Sequence, residues 1–325
     1  MQDIAPDALL SPRDHAVTPT VLVPVDSSDR DQRVIPVAAA YADLTDGELH
    51  LIRVLEIPPE MESPRARAMG LADATSEQRR EMERSVADIA ERLRTDTGRT
   101  VTAEVAEGFD VADVLIGSTT WRAADLVVMA TRAPGAIRRA LRGSVADRVM
   151  RESPRPVVLV PPGAEDLGGR RIHLRRVLVP LDGSELASAA LDHLLELKGA
   201  RELELVLLQV VSSGVVPEWA PDPLSLPAPA FFPDLAKARE DADHRLNQVA
   251  DRLRTDGVKN VRVHVVVASR PAPEIARVAR EEGADFIAMS TRGTSGAERF
   301  VLGSVAEAVV RHSDVPVLLV TPHDR

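Results

Sequence analysis

The chain states one pattern twice. Val21-Leu22-Val23-Pro24-Val25-Asp26-Ser27-Ser28 returns as Val177-Leu178-Val179-Pro180-Leu181-Asp182-Gly183-Ser184, and Ala124 to Pro162 returns without a gap as Ala284 to Pro322, with 18 of 39 positions identical. A period near 160 residues far exceeds that of any solenoid unit, so the chain holds two copies of one domain. Each copy is long enough to bury a real core. The repeat also lets each half be checked for what it kept and what it lost.

Composition narrows the functions open to such a pair. A hydrophobic fraction of 44% with 28% charged residues is ordinary for a soluble globular chain, and no apolar run approaches the roughly 18 residues of a membrane span. Met1 to Thr20 carries Asp3, Asp7 and Asp14 and lacks a basic-then-apolar pattern, so it does not read as a signal peptide. With no cysteine, disulfides, thiol catalysis and Cys-ligated zinc are excluded, and a cytoplasmic protein is expected. The net charge of −10 argues against nucleic acid, whose phosphates reward clustered Lys and Arg. An aromatic content of 2% argues against a base-stacking platform. Lysine occurs only at 198, 237 and 259, and no P-loop string is present.

Strands and helices alternate in each half. In the first, strands are expected at 21–25, 48–55, 101–105, 126–130 and 157–160, with a helix start after Asp26-Ser27-Ser28 and helices at 76–95, 111–122 and 144–152. The second half repeats this with strands near 176–181, 203–210, 261–267, 285–289 and 316–320, and helices near 184–197, 235–255, 272–282 and 304–312. Continuous apolar strand cores imply a parallel sheet covered on both faces. Right-handed crossovers make it an α/β doubly wound sheet whose ligand site lies at the carboxyl ends of the strands. The expected divisions are a tail at 1–18, a domain at 19–162, a linker at 163–174 and a second domain at 175–325. Ser212 to Pro233 is rich in proline and without periodicity, and is expected to be an extended loop or lid over the strand ends.

The candidate site follows the fourth strand of the second half: Ser290-Thr291-Arg292-Gly293-Thr294-Ser295-Gly296, six residues, then Gly303-Ser304-Val305. Gly293 and Gly296 permit positive φ and close approach by a ligand, and successive amides in such a loop form an anion nest. Gly303-Ser304 opens a helix whose amides and dipole favour phosphate. Asp182, at the end of the first strand, sits where a ribose hydroxyl would want an acceptor.

These residues resemble the universal stress protein family, whose ATP-binding members carry G-x-x-G-x(9)-G-[ST]. Here the string is Ser290-x-x-Gly293-x(9)-Gly303-Ser304, with the first glycine replaced. The Val-Leu-Val-Pro-Leu-Asp strand, the strand ending Gln209-Val210 and the closing Pro316-Val317-Leu318-Leu319-Val320 are similar too, and the likeness covers about 19–162 and 175–322. The resemblance implies two tandem domains of the adenine nucleotide alpha hydrolase-like, universal stress protein type, packed as an internal pseudo-dimer through 157–160 and 315–320, with a homodimer as a further expectation. It implies an ATP site, with Mg²⁺ held through the phosphates, at Pro180, Asp182, Val210, Met289, Ser290, Thr291, Arg292, Gly293, Thr294, Ser295, Gly296, Gly303, Ser304 and Val305. Asp182 and Val210 would hold ribose and adenine, and the 290–296 loop with Gly303 to Val305 the phosphates. The function implied is a nucleotide-dependent sensor or adaptor in the stress response, acting on a protein partner that the sequence does not name.

The first half departs further. Its string is Ala130-x-x-Ala133-x(9)-Gly143-Ser144, and Pro134 removes an amide that Thr294 offers. The corresponding first-half site would comprise Asp26, Val54, Thr131, Arg132, Gly143, Ser144 and Val145. Plainer readings stand beside the functional ones. Gly303-Ser304 serves equally as a tight turn with a serine N-cap, and Asp26 and Asp182 as caps of the first helix of each half. An interaction scaffold that no longer binds nucleotide is an alternative, and slow ATP hydrolysis or autophosphorylation at Ser304 another. The eight histidines do not repeat between halves, no G-x-S-x-G elbow is present, and no protein metal ligands are expected.

Overall fold

The computed structural model describes residues 18–58, 71–121, 124–131, 145–153, 155–162, 164, 173–212, 235–291 and 302–322. The Pro-rich stretch from 213 onward, the N-terminal tail to residue 17 and most of the expected linker lie outside them, as do the glycine loop 292–301 and its first-half counterpart 132–144.

Each half is built on short, β-branched, apolar strands. The first contains β1 (Thr20–Pro24), α1 (Asp29–Thr45), β2 (Glu48–Glu56), α2 (Leu71–Thr97), β3 (Val101–Gly108), α3 (Val111–Trp121), β4 (Leu126–Ala130), α4 (Val145–Glu152) and β5 (Val157–Val160). The second contains β6 (Arg176–Pro180), α5 (Ala189–Glu196), β7 (Glu204–Ser212), α6 (Leu235–Thr255), β8 (Asn260–Ala268), α7 (Pro271–Glu281), β9 (Phe286–Ser290), α8 (Ser304–His312) and β10 (Val317–Val320).

All ten strands form one sheet in the order β3-β2-β1-β4-β5-β10-β9-β6-β7-β8. Within each half the strands are parallel; β5 and β10 meet antiparallel, with Leu318 opposite Val158. Those two residues occupy the same position of the repeat, so a pseudo-twofold axis passes between them, as in a C2 interface made within one chain.

Side chains alternate across the pleat and so divide the core into two layers. Val21, Val23, Leu49, Leu51, Val158, Val177, Val179 and Leu318 face one layer with α1, α2, α5 and α6. Leu22, Ile52, Val157, Leu159, Leu178 and Leu319 face the other with α3, α4, α7 and α8. Both layers run unbroken from one half into the other. The seam is therefore packed as a core as well as hydrogen-bonded as a ladder.

One departure from the expected elements concerns 184–197. A 3₁₀ turn, Leu186–Ser188, precedes α5. The Ser184 hydroxyl accepts the Ala187 amide at 3.2 Å, and the Ser188 amide and hydroxyl both bond the Glu185 carbonyl, which tightens the first turn. The expected helix 76–95 runs longer at both ends as α2, and Arg94 at its C-terminal end reaches forward to the Val101 carbonyl at 2.8 Å.

The α1 and α5 helices meet across the axis. Tyr41, fully buried on α1, has its hydroxyl 2.6 Å from His193 Nε2 on α5, with the rings stacked at 6.5 Å. The Gly199 amide donates to the Leu44 carbonyl at 3.0 Å beside them. Burial raises the Tyr41 hydroxyl well above its ordinary range, and burial also pushes His193 down to about 4. The unfolded ring titrates near 6.5. A depressed folded pKa means that the stabilisation is whole above about pH 6.5 and is lost as pH falls toward about 4. Because His193 is only half-buried, that shift is discounted for solvent screening, and the loss is about 2 kcal/mol. Urea denaturation of the wild type and of His193→Gln at pH 7 and pH 4.5 checks this. The wild type should lose more stability than the variant, and equal losses would remove the histidine from the account.

Candidate functional site

In a doubly wound sheet, the crevice opens where consecutive crossovers leave a strand in opposite directions. In the second half that strand is β6, which lies between β9 and β7. Its C-terminal end carries the first candidate residues. Pro180 ends the strand half-buried, and Leu181 donates its amide to the Leu208 carbonyl at 2.8 Å. Asp182 follows, exposed, with Oδ1 accepting the Ser184 amide at 2.9 Å and the Ser184 hydroxyl at 2.6 Å. Its carboxylate thus orders the turn in an Asx-type arrangement, and it does not cap α5, which begins seven residues later at Ala189. Gly183 has φ +84°, which a residue with a Cβ adopts only with strain. Arg245 Nε on α6 and Gln209 Nε2 on β7 lie 3.6 and 3.7 Å from the place a Gly183 Cβ would take.

The neighbouring strand ends bring in the second set. Ser290 ends β9 and Thr291 follows, both buried, with the Thr291 amide bonded to the Val320 carbonyl at 2.9 Å. Gly303 returns to the same strand end, where its amide donates to the Thr291 carbonyl at 2.7 Å. Residues 292–301, with Arg292, Gly293, Thr294, Ser295 and Gly296 among them, lie outside the described residues.

Gly303 has φ −61° and ψ 141°, so its backbone does not require glycine. Close approach favours it: a Cβ there would stand 3.1 Å from the Thr291 carbonyl oxygen, tighter than ordinary contact. The reading of Ser304 as the helix cap is corrected. Gly303 is the N-cap of α8 and supplies no side-chain acceptor, while Ser304 is the first helical residue, exposed like Val305 after it. Among the described residues, no capping side chain covers the first amides of α8. Val210 is half-buried on β7 against the second core layer, and Met289 is buried in that layer with Leu302.

The first half makes the same turn and fills it. Asp26 Oδ1 accepts the Ser28 amide at 3.0 Å, and Ser27 has φ +62° where the second half has glycine. The cap of α1 is Ser28, whose hydroxyl accepts the Arg30 amide at 3.3 Å, so Asp26 does not cap it. Asp31, almost fully buried, accepts the Asp26 and Ser27 amides at 3.2 and 2.8 Å. Burial raises its pKa, and the two amides oppose that rise. Arg53 donates to the Ser27 hydroxyl at 2.8 Å, and Arg30 pairs with Asp26. Thr131 is buried with its amide on the Val160 carbonyl, Val54 is half-buried, and Val145 opens α4. Arg132, Gly143 and Ser144 lie outside the described residues.

Sequence reasoning missed Asp31, Arg53, Arg245 and the Gln209 side chain. Aligning the repeats pairs Asp31 with Ala187 and Arg53 with Gln209, but only the fold shows that these positions meet the strand-end turn. Among the described residues, no group of three or more metal-ligating side chains is placed to hold an ion, and no helix is long and apolar enough to cross a membrane.

Comparison with known proteins agrees with this architecture. The family model described as the universal stress protein family matches residues 18–161 and 173–321. A universal stress protein of Mycobacterium tuberculosis is 27% identical over 316 residues, spanning 92% of this chain and 94% of its own. One from Methanocaldococcus jannaschii is 30% identical over 154 residues, 45% of this chain and 94% of its own. The crystal structure of a universal stress protein from Archaeoglobus fulgidus superposes with a TM-score of 0.63 at 21% identity, covering 94% of this chain and 97% of that one. With the family model matched in both halves, the chain belongs to the universal stress protein family.

Proposed function

We propose that this protein binds ATP in its second half and acts as a nucleotide-dependent sensor or adaptor in the stress response. The observation that carries this is the pairing of two features at one sheet edge. The α8 N-terminus lacks a capping side chain among the described residues and is drawn against Thr291 through a glycine. The Asp182 turn stands at the end of β6, the strand next to β9. Helix-terminal amides suit phosphate, and an exposed carboxylate suits a ribose hydroxyl. In this reading Gly303 to Val305 and the 290–296 loop take the phosphates, with Mg²⁺ supplied through them, while Pro180, Asp182 and Val210 border the nucleoside. Met289 supports the strand end from the core.

Little chemistry is expected. Efficient phosphoryl transfer needs a positioned nucleophile and cations that stabilise developing charge. The His264–Glu282 pair does not serve this site, because Glu282 precedes β9 and lies at the opposite end of the strands. The interaction-scaffold reading draws specific support only in the first half, where Asp31 fills the turn.

Isothermal titration with MgATP should show about one site per chain, and phosphate release should stay well below the roughly 1–10³ s⁻¹ of typical enzymes. Two equal sites would refute the impaired first half. No binding at all would leave the scaffold reading. Turnover within the enzymatic range, abolished by Ser304→Ala with binding intact, would replace the sensor with an enzyme.

A further inference from the structure

The two halves make one turn and complete it differently. Asp26-Ser27-Ser28 corresponds to Asp182-Gly183-Ser184, and the same offset pairs Asp31 with Ala187 and Arg53 with Gln209. On the long helices, Arg94 and Arg254 reach the carbonyls of Val101 and Val261, which aligns Ser85 with Arg245. In the first half every one of these positions is tied to its own chain. Asp31 takes the amides of Asp26 and Ser27, Arg53 bonds Ser27 Oγ at 2.8 Å, and Ser85 Oγ stands 2.9 Å from the same hydroxyl.

The second half keeps the turn, with the same Asx bond and the same positive φ, and loses the carboxylate. Ala187 stands where Asp31 would be. Two nitrogen donors converge on the turn instead: Gln209 Nε2 from β7 and Arg245 Nε from α6. Gln209 is more than nine-tenths buried, and none of the hydrogen bonds among the described residues engages its side-chain amide. Arg245 is exposed. A ligand oxygen at this turn would accept from both donors at once.

We propose that an oxygen of the bound nucleotide takes the place in the second half that the Asp31 carboxylate holds in the first, with Arg245 and Gln209 as ligand-contact residues. The inference rests on the nucleotide reading above and names two contacts that reading does not use. It also assigns Asp31 as the first half's own occupant, a carboxylate standing in for ligand oxygen. The acceptor is a ribose or a phosphate oxygen; both offer lone pairs to amide and guanidinium donors, and a phosphate adds charge.

Titration of the full chain with ATP and with adenosine tests this in Arg245→Ala, Gln209→Leu and Ala187→Asp. Loss of a charge-assisted bond should weaken ATP about tenfold in Arg245→Ala. Ala187→Asp should weaken it further, because a carboxylate then competes for the same place. Thermal melts identify any variant that fails to fold, and the exposed Arg245 keeps the test decisive if the buried ones do. An Arg245→Ala loss confined to ATP places the guanidinium on phosphate, and an equal loss with adenosine places it on ribose; both support the proposal. Wild-type binding with folded variants all within twofold of it would overturn this inference alone. Failure of the wild type to bind would overturn the nucleotide reading instead.

Discussion

Gly303→Val should cost most of the ATP affinity, about a hundredfold or ~2.7 kcal/mol. The structure supplies two reasons. A Cβ at 303 already meets the Thr291 carbonyl oxygen at 3.1 Å, so a β-branched side chain forces the strand end and helix start apart or turns its methyls into the crevice. Valine is also a poor N-cap, so the first turn of α8 loosens where its amides are needed. Gly303→Ala, which adds only the tight Cβ, should lose much less. The repeat provides a control: Gly143→Val alters the corresponding first-half position and should leave ATP affinity unchanged. Isothermal titration of the three variants beside thermal melts separates lost binding from lost folding. Unchanged affinity in folded Gly303→Val would remove α8 from the site.

The element order was legible because β-branched runs such as Val21 to Val25 and Val177 to Val179 bury both faces, which few environments other than a covered parallel strand permit. The meeting of 157–160 with the last strand of the second half was expected by resemblance, and β5 pairs β10 in the structure. What stayed hidden were contacts made by side chains far apart in sequence. Tyr41 and His193 are 152 residues apart, and nothing periodic marks either one. Asp31 reads as an ordinary acid in the first turn of a helix, yet it turns back onto the amides of Asp26 and Ser27. Ser304 looked like a cap by residue type, but the close approach of Gly303 to Thr291 moved the cap one residue earlier. Local preference located the elements; the path of the chain decided which groups were left for a ligand.

Leu318→Ala should destabilise the whole molecule by about 2–5 kcal/mol, the usual range for emptying a buried leucine site. Leu318 is fully buried on β10, opposite Val158 on one side and Ala288 on the other. The pseudo-twofold axis runs between it and Val158, so the cavity opens where both halves share one core layer. Small neighbours limit collapse around it: Ala288 beside it cannot fill the space, and the β5–β10 ladder holds the strands at their spacing. Against the roughly 5–15 kcal/mol typical of native proteins, such a loss is large. Because the layer is continuous, the two halves should unfold together, and urea denaturation should show one transition moved to lower denaturant with its slope kept. ATP affinity measured well below that transition should not change, since Leu318 faces the core layer away from α8. A shift below about 1 kcal/mol, or a wild type that unfolds in two separate steps, would mean that the halves are joined by the ladder without sharing a core.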